Sequence, residues 1–393
     1  MGGLARRASY IESFQQQKKN VLVLDAGNVF SSPGLHGQIK SAIALEGMQM
    51  MSYSMFNLGY KDFVHGLDFL SDYTDQFSVP TVNANVVYED TGENITEPYR
   101  IIKAGSLKVG FIGVVAKSYG DEIVDATSDH ARKVMVLDEM TTLQTQIDGI
   151  KNEVDVIIVL ASVGLKKSIT IANVMEGIDV IICSEGKDII DDYLFYNGVY
   201  IVKAGYDGTH IGNVTLNFNI TKNIVTVDST TVELDSSFSD HEDLEDLMDK
   251  YHERLEELKD ELLNREQEDP DTGWYYAGSS TCSGCHTSQS SQWNTTDHAD
   301  TFIVLIDNDQ EYNMDCIFCH TTGWGYTGGF ITSDTTPEMG EVQCEMCHGA
   351  GGEHIETGKI TFETIAKVTC IKCHTEKTSP DFDYYSYYSA IGH

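Results

Sequence analysis

Eight of the nine cysteines form four C-x-x-C pairs in the last third of the chain, and a histidine directly follows each pair. The four motifs are Cys282-Ser283-Gly284-Cys285-His286, Cys316-Ile317-Phe318-Cys319-His320, Cys344-Glu345-Met346-Cys347-His348 and Cys370-Ile371-Lys372-Cys373-His374. C-x-x-C-H is the attachment signature of c-type haem. Two cysteines on one helical turn can form thioethers to a porphyrin, and the histidine that follows can ligate the iron. We therefore expect four covalently bound haems.

Zinc ribbons also contain C-x-x-C pairs, and disulfide frameworks contain paired cysteines. Neither kind of site needs a histidine directly after the second cysteine, yet all four pairs have one. The haem interpretation is therefore favoured over both. The ninth cysteine, Cys183, stands alone and is expected to be a small buried residue.

Each iron also needs a ligand on its other face, or else leaves that position open. The C-terminal region offers His298, His354 and His393 as distal ligands. Three histidines for four haems leave one iron five-coordinate, or ligated by another residue type or by a histidine from elsewhere. The histidines elsewhere are His36, His65, His130, His210, His241 and His252.

Residues 275–393 resemble the tetrahaem cytochrome c-554 family. The resemblance rests on the four motifs, the His298-Ala299 pair, the stretch from Cys319 to Gly323, the stretch from Cys347 to His354, and the tail that ends at His393. It implies electron transfer, mostly bis-histidine ligation and, in some members, one haem without a distal ligand.

Residues 1–238 have the pattern of a layered α/β domain. Short runs rich in β-branched residues predict buried strands, and amphipathic stretches between them predict helices. The strands are expected at Val21 to Asp25, Val109 to Val115, Val154 to Leu160 and Ile178 to Ile182, and the helices at Gln38 to Leu58 and Met135 to Ile150.

This first part resembles the 5′-nucleotidase branch of the metallophosphoesterases. The matching pieces include Gly2 to Arg6, Leu24 to Asn28, Asn57 to Tyr60, Pro80 to Val86 and Gly177 to Ile182. Those enzymes use two metal ions to activate water and to hold a phosphate. The ligand positions carry Asn28, Leu67 and Ser162 in this chain, the Gly-His-x-His motif reads Ser184-Glu185-Gly186-Lys187, and the opening Asp-x-His motif is absent. We therefore predict a phosphoesterase fold without metals or activity. His65 and Asp68 are predicted to be solvated or hydrogen-bonded loop residues, and the alternative is that they form an unrelated site.

Apolar side chains recur at helical spacing from Leu244 to Leu262, before Asp269-Pro270. They predict an amphipathic helical linker over 239–270, which packs on its own chain or forms a coiled coil with another subunit. The predicted domains are thus a metallophosphoesterase-like domain at 1–238, this linker, and a tetrahaem cytochrome domain at 271–393.

The formal net charge is −35, from 61 acidic and 26 basic residues. Such a charge repels nucleic acid and anionic lipid. No run of 18 apolar residues indicates a membrane span. Thioether attachment of haem takes place outside the cytoplasm, so we expect an exported protein whose N-terminal signal precedes this sequence. Four sequons, at Asn94, Asn213, Asn219 and Asn294, would permit glycosylation of an exported chain.

The sequence as a whole predicts an exported tetrahaem cytochrome that passes electrons to redox partner proteins or extracellular acceptors. Ligation of an iron by a neighbouring subunit would extend it into an extracellular cytochrome filament, because a head-to-tail contact repeats unless it closes into a ring. The alternative is an oxidoreductase that acts on a small substrate at an open-coordinated haem.

Overall fold

The structure is a computed structural model that describes residues 3–30, 32–270, 273–359, 365, 367–375 and 378–391. The chain divides into two compact units, Met1–Tyr251 and His252–His393. The division falls within one helix, Glu242–Glu256. In the described part of the chain, no helix has the length and apolar character needed to cross a membrane.

The described residues of the first unit form thirteen strands, and the longest of them are the β-branched runs of the sequence. In chain order they are β1 Leu24–Asp25, β2 Met55–Asn57, β3 Thr81–Val82, β4 Val86–Tyr88, β5 Tyr99–Ala104, β6 Leu107–Val115, β7 Val134–Val136, β8 Val156–Gly164, β9 Val180–Glu185, β10 Leu194–Tyr196, β11 Val199–Val202, β12 His210–Phe218 and β13 Ile224–Glu233.

A six-stranded sheet in the order β10-β11-β9-β8-β6-β5 forms the centre of this unit. Its inner strands β6, β8, β9 and β11 are parallel, and β5 and β10 are antiparallel edges. A parallel three-stranded sheet, β1-β2-β3, supplies Met55 and Val82 to the apolar cluster on one face of the large sheet. A strand that is covered on both faces has a continuous run of apolar residues, which is why these strands could be predicted from the sequence.

Helices of the first unit pack mainly through one face. They are α1 Leu4–Gln17, α2 Leu35–Met50, α3 Gly66–Gln76, α4 Gly120–Ala126, α5 Glu139–Ile150 and α6 Leu165–Val174, followed by α7 Glu242–Glu256 at the boundary. Leu143 and Ile147 of α5 and Ile171 of α6 are buried against the second face of the six-stranded sheet. Asp138 caps α5 by accepting a hydrogen bond from the backbone N–H of Thr141.

Two predicted helices extend too far. The stretch from Gln38 to Leu58 is helical only to Met50 and then forms strand β2. The stretch from Met135 begins as the end of strand β7, and its helix starts at Glu139. In both places a short apolar strand continues the run of apolar residues, so periodicity alone did not mark the change. The strand predicted at 21–25 is confined to Leu24–Asp25.

The amphipathic stretch after residue 239 forms α7 and then α8, Leu258–Asn264. Its spaced apolar side chains are buried within this one chain, at Leu244, Leu247, Tyr251, Leu255, Leu258 and Leu262. This burial favours packing on its own chain over a coiled coil with another subunit.

The second unit is built of short helices with little strand. They are α8 and then α9 Ser279–Ser283, α10 Thr287–Trp293, α11 Thr301–Ile306, α12 Met314–His320, α13 Cys344–His348, α14 Gly352–Thr357, α15 Lys367–Cys370 and α16 Tyr384–Ile391. Its apolar cluster holds six buried side chains, including Phe302, Ile317 and Phe330. A core of this size is small for about 140 residues, as expected if a prosthetic group supplies much of the interior.

Candidate functional site

Each of the four C-x-x-C-H motifs lies on a helical turn. The second motif lies within α12 and the third is α13. In the first and fourth motifs the histidine N–H donates to the carbonyl of the first cysteine, His286 to Cys282 at 3.0 Å and His374 to Cys370 at 2.9 Å. One turn therefore holds two thiols and one imidazole in a fixed local arrangement, the arrangement that attachment to a single porphyrin requires.

Two imidazole pairs bring a motif histidine together with a distant histidine. The ring centroids of His286 and His354 are 6.1 Å apart, and those of His298 and His374 are also 6.1 Å apart. An imidazole nitrogen binds a first-row transition metal at about 2 Å, so two imidazoles on opposite sides of one metal have centroids roughly 6 Å apart. Both pairs thus have the spacing of axial ligands to one iron.

Three of the histidines predicted as iron ligands have a hydrogen-bond partner at Nδ1. His320 Nδ1 donates to the carbonyl of Thr301 at 2.6 Å, and His354 Nδ1 donates to the carbonyl of Lys359 at 3.1 Å. His374 Nδ1 lies 3.2 Å from Ser379 Oγ. A carbonyl can only accept, so in His320 and His354 the hydrogen is on Nδ1 and the lone pair is on Nε2. Such a second bond orients a ligand histidine and raises its basicity.

Burial lowers the pKa of His298 and of His374, and the neighbouring His374 lowers that of His298 further. Both effects favour the neutral imidazole, which is the form that binds a metal.

Apolar side chains next to the motifs supply the surroundings that a porphyrin packs against. Phe318 and Ile371 lie inside the second and fourth motifs and are exposed, as are Ile355 beside His354 and Val368 before Cys370. The ring of Phe382 stacks on His374 with centroids 4.6 Å apart. Thiols, imidazoles and apolar surfaces therefore occur together, and the residues present fit haem c.

Contacts between cysteines show which motifs are neighbours. The thiol of Cys282 in the first motif hydrogen-bonds to Cys344 in the third, which raises the pKa of Cys282. Cys319 in the second motif hydrogen-bonds to Cys373 in the fourth, which raises the pKa of Cys373.

An electrostatic interaction links the third motif to the fourth. The charge of Cys370 adds to burial in raising the pKa of Cys347 to about 11. The first motif thus neighbours the third, the second neighbours the fourth, and the third and fourth lie near enough for their thiols to interact electrostatically.

Among the seven histidines predicted as iron ligands, four are accounted for by the two pairs. His320 and His348 of the second and third motifs also lie among the described residues. The third predicted distal ligand, His393, lies outside the described residues.

In the first unit, the carboxyl ends of the parallel strands meet at one edge and bring together three of the substituted positions. Asn28 Nδ2 donates to Ser162 Oγ at 3.1 Å and also to Glu185 Oε1. The other oxygen of Glu185 accepts a hydrogen bond from the hydroxyl of Tyr119 at 3.1 Å. The ends of β1, β8 and β9 are therefore linked by direct side-chain hydrogen bonds.

Asp62 fixes the loop that carries Asn28. Its carboxylate accepts four backbone hydrogen bonds at 2.7 to 3.0 Å, from Asn28, Val29, Phe30 and Gly59. The side chain is fully buried. Burial raises the pKa of Asp62 to about 7, although the hydrogen bonds from Phe30, Asn28 and Gly59 act in the opposite direction. Asp62 therefore has a structural role at this edge.

The remaining substituted positions do not join this edge network. Leu67 is buried in α3, and Lys187 lies with its Nζ 5.4 Å from the centroid of the Tyr206 ring. The Nε2 of His65 lies 3.0 Å from Ser41 Oγ, and Asp68 pairs with His130 at 3.4 Å. The prediction of a loop position is wrong for Asp68, which lies in the first turn of α3, directly after His65 at its N-cap and Gly66 and Leu67. Across the described residues, no group of three or more His, Cys, Asp and Glu side chains is arranged to hold a metal ion.

Two comparisons concern the second unit. Residues 281–349 match the model of the family described as cytochrome c554 and c-prime. Cytochrome c-554 of Nitrosomonas europaea is 32% identical over 113 residues, which cover 24% of this chain and 48% of that protein.

Further comparisons concern the first unit. The 5′-nucleotidase of Bos taurus is 23% identical over 289 residues, which cover 67% of this chain and 50% of that protein. The solved structure of a 5′-nucleotidase precursor from Thermus thermophilus superposes with a TM-score of 0.57 at 20% identity, over 65% of this chain and 54% of that one. The chain joins a metallophosphoesterase-like domain to a cytochrome c554 domain.

A calcineurin-like phosphoesterase of Bacillus subtilis gives a TM-score of 0.55 at 23% identity, over 64% of this chain and 89% of that one. It shares the fold of the metallophosphoesterase-like domain. The chain spans about half the length of the curated relatives it matches, 50% for the bovine nucleotidase and 48% for the cytochrome.

The cytochrome c554 domain implies covalent haem c, as the motifs predicted. In the metallophosphoesterase-like domain, sequence reasoning missed Tyr60 and Tyr119, whose rings stack with centroids 4.1 Å apart beside Glu185. No spacing in the sequence connects these two tyrosines. Glu185 did have a signal, since it lies in the segment that replaces the Gly-His-x-His motif.

Proposed function

We propose that this protein is an exported tetrahaem c-type cytochrome that transfers electrons through a row of four haems. The observation that carries the proposal is the pairing of motif histidines with distant histidines, His286 with His354 and His374 with His298, at the spacing of axial ligands. The matching cytochrome c554 family supports a multihaem electron carrier.

When bound, haem c supplies an iron that takes up and releases one electron at each motif. The chain's own residues determine how that iron is held. The cysteines of each motif would form the thioethers, and His286, His320, His348 and His374 would bind the irons. His354 and His298 would supply the second histidines at the first and fourth motifs, and His393 is the remaining distal candidate.

The order of neighbouring motifs sets the order of transfer. The hydrogen bonds of Cys282 with Cys344 and of Cys319 with Cys373, and the electrostatic interaction of Cys347 with Cys370, support an order in one row. Electrons would enter or leave at the ends of this row, near the first and second motifs. The formal net charge of −35 favours a redox partner or acceptor with a positive surface, because complementary charge speeds association.

The metallophosphoesterase-like domain serves in this proposal as a scaffold or docking surface without catalytic activity. The side chain of Asn28 hydrogen-bonds to those of Ser162 and Glu185, at the edge where the resembling enzymes hold two metals. A neutral amide and a hydroxyl are weak ligands for such ions, whereas carboxylates and imidazoles are strong ones.

The second candidate function concerns the irons that His320 and His348 would bind. Only His393 remains as a distal histidine for them within the cytochrome domain, so one iron would be left open. An open iron would bind small molecules, which is the oxidoreductase alternative. Ligation of that iron by a histidine of a second copy would instead connect subunits into a filament.

Low-temperature electron spin resonance of the oxidised, purified protein separates these possibilities when it is combined with a measurement of particle mass. A monomer with three low-spin haems and one high-spin haem that binds small molecules would favour the oxidoreductase alternative. Four low-spin haems in a polymer, with one becoming high-spin on dissociation, would support the filament. Fewer than four haems per chain would contradict the proposed function itself.

A further inference from the structure

Of the four Asn-x-Thr sequons, one lies at the tip of an exposed hairpin. Strands β12 and β13 form a two-stranded antiparallel sheet, and residues 219–223 connect them. Asn219 and Thr221 are exposed, and Ile220 between them is 99% exposed. From this placement we infer that Asn219 carries an N-linked glycan in the exported protein; the inference rests on the proposed function only for export.

The side chain of Asn219 is oriented for modification. Its Oδ1 accepts hydrogen bonds from the N–H of Thr221 at 3.0 Å, the hydroxyl of Thr221 at 2.7 Å and the N–H of Asn223 at 3.0 Å. These bonds fix an Asx turn. Among the described residues, Asn219 Nδ2 donates to no partner, so the amide nitrogen faces solvent. The threonine hydroxyl that completes the sequon is already in contact with the amide.

Lys222 holds this turn to the body of the domain. Its Nζ lies 2.9 Å from both carboxylate oxygens of Asp155, in the loop before β8. The tip is therefore presented in a defined position and does not fold back on the sheet.

The other sequons use their side chains in the fold. Asn94 is half-buried, and its Nδ2 donates to the carbonyl of Ala84 at 2.7 Å. Asn213 lies in the middle of β12, where its Nδ2 donates to the hydroxyl of Tyr10 on α1. A glycan on either amide would displace helix or strand packing, because it is bulky and strongly hydrated.

Asn294 is exposed but lacks the Asx turn. It follows α10 in a helical conformation, and the hydroxyl of Thr296 donates to the carbonyl of Trp293 at 2.8 Å. The hydroxyl of this sequon is therefore turned toward the helix end and away from the amide. We expect its occupancy to be lower than that of Asn219.

The reaction is a glycosyl transfer from a lipid-linked oligosaccharide phosphate. The Nδ2 atom of Asn219 attacks the anomeric carbon of the first sugar and forms a C–N bond. The bond between that carbon and the phosphate oxygen breaks, and the lipid phosphate leaves with the electron pair. One amide proton passes to a base of the transferase.

The test is site-resolved mass spectrometry of the full protein, purified from the medium or cell surface of its native host. We expect a glycan on the Asn219 peptide at higher occupancy than on the other three sequons. Haem on the motif peptides reports the proposed function separately. An unmodified Asn219 peptide, or higher occupancy at another sequon, overturns the inference whether or not haem is present.

Two variants test the glycan acceptor without disturbing the fold. One removes the acceptor nitrogen, and the other retains it as a control. Asn219→Asp retains an oxygen for the Asx turn but removes the amide nitrogen, so its intact mass should fall by one glycan. Thr221→Ser retains both the hydroxyl and the sequon, so its glycan should remain. A glycan mass that is unchanged in Asn219→Asp would contradict the assignment.

Discussion

The imidazole of His286 lies with its ring centroid 6.1 Å from that of His354, at an interplanar angle of 39°. His286 follows the cysteines of the first motif, whereas His354 belongs to α14, beyond the third motif. Two segments far apart in the chain therefore bring these two imidazoles together, so a haem held at the first motif would depend on the fold of the whole unit for its second histidine.

Removing a distal histidine should change the spin state of one haem. We expect His354→Ala to convert the haem of the first motif from low-spin to high-spin, because its iron loses a strong-field ligand. Low-temperature electron spin resonance measures the change. His298→Ala should do the same at the fourth motif, and His210→Ala, on strand β12, should change neither. An unaltered spectrum for His354→Ala would show that the pairing is wrong.

The haem count should depend on the eight motif cysteines alone. Intact-mass measurement should find four haem additions in the wild type, and Cys282→Ala should weaken attachment at the first motif. Cys183→Ala is the matched control, since that thiol is buried in β9 and hydrogen-bonds to the carbonyl of Val163 at 2.9 Å. Metal analysis that found zinc instead of iron would exclude the haem assignment.

The metallophosphoesterase-like domain should not hydrolyse phosphoesters. With added manganese or zinc, we expect release of phosphate from nucleoside monophosphates to stay at background, because Asn28, Leu67, Ser162 and Lys187 replace metal ligands. The assay needs an active 5′-nucleotidase as its positive control. Robust turnover that disappears in Asp25→Asn or Asp68→Asn would mean that the domain has kept a working site.

Asp62→Asn should destabilise the first unit by about 2–5 kcal/mol. The new amide group would face at least one pair of backbone N–H donors, either those of Asn28 and Gly59 or those of Val29 and Phe30, and buried donors without acceptors are costly. Urea unfolding followed by far-ultraviolet circular dichroism measures this loss. Asp90→Asn, at an exposed ion pair with Arg132, should have a much smaller effect, because solvent screens such a pair. Equal effects of the two variants would contradict the structural role of Asp62.

The sequence predicted the large sheet well because its central strands are buried on both faces. Leu107–Val115 and Val156–Gly164 are long runs rich in β-branched residues. Few structures other than a buried strand accommodate such a run. It did less well at β1 and β2. Those strands have two and three residues, and tertiary pairing at Leu24 with Met55 defines them more than local preference does.

At the candidate haem sites, the sequence by itself determined the chemistry within each motif. Two thiols and an imidazole within five residues are a local arrangement, set by one helical turn, so their spacing can be read directly. Only the tertiary structure decided that His354 faces His286, that His298 faces His374, and that Cys282 adjoins Cys344. These contacts join residues more than 60 positions apart, and such contacts arise from how the whole unit packs, which leaves no periodic trace in the sequence.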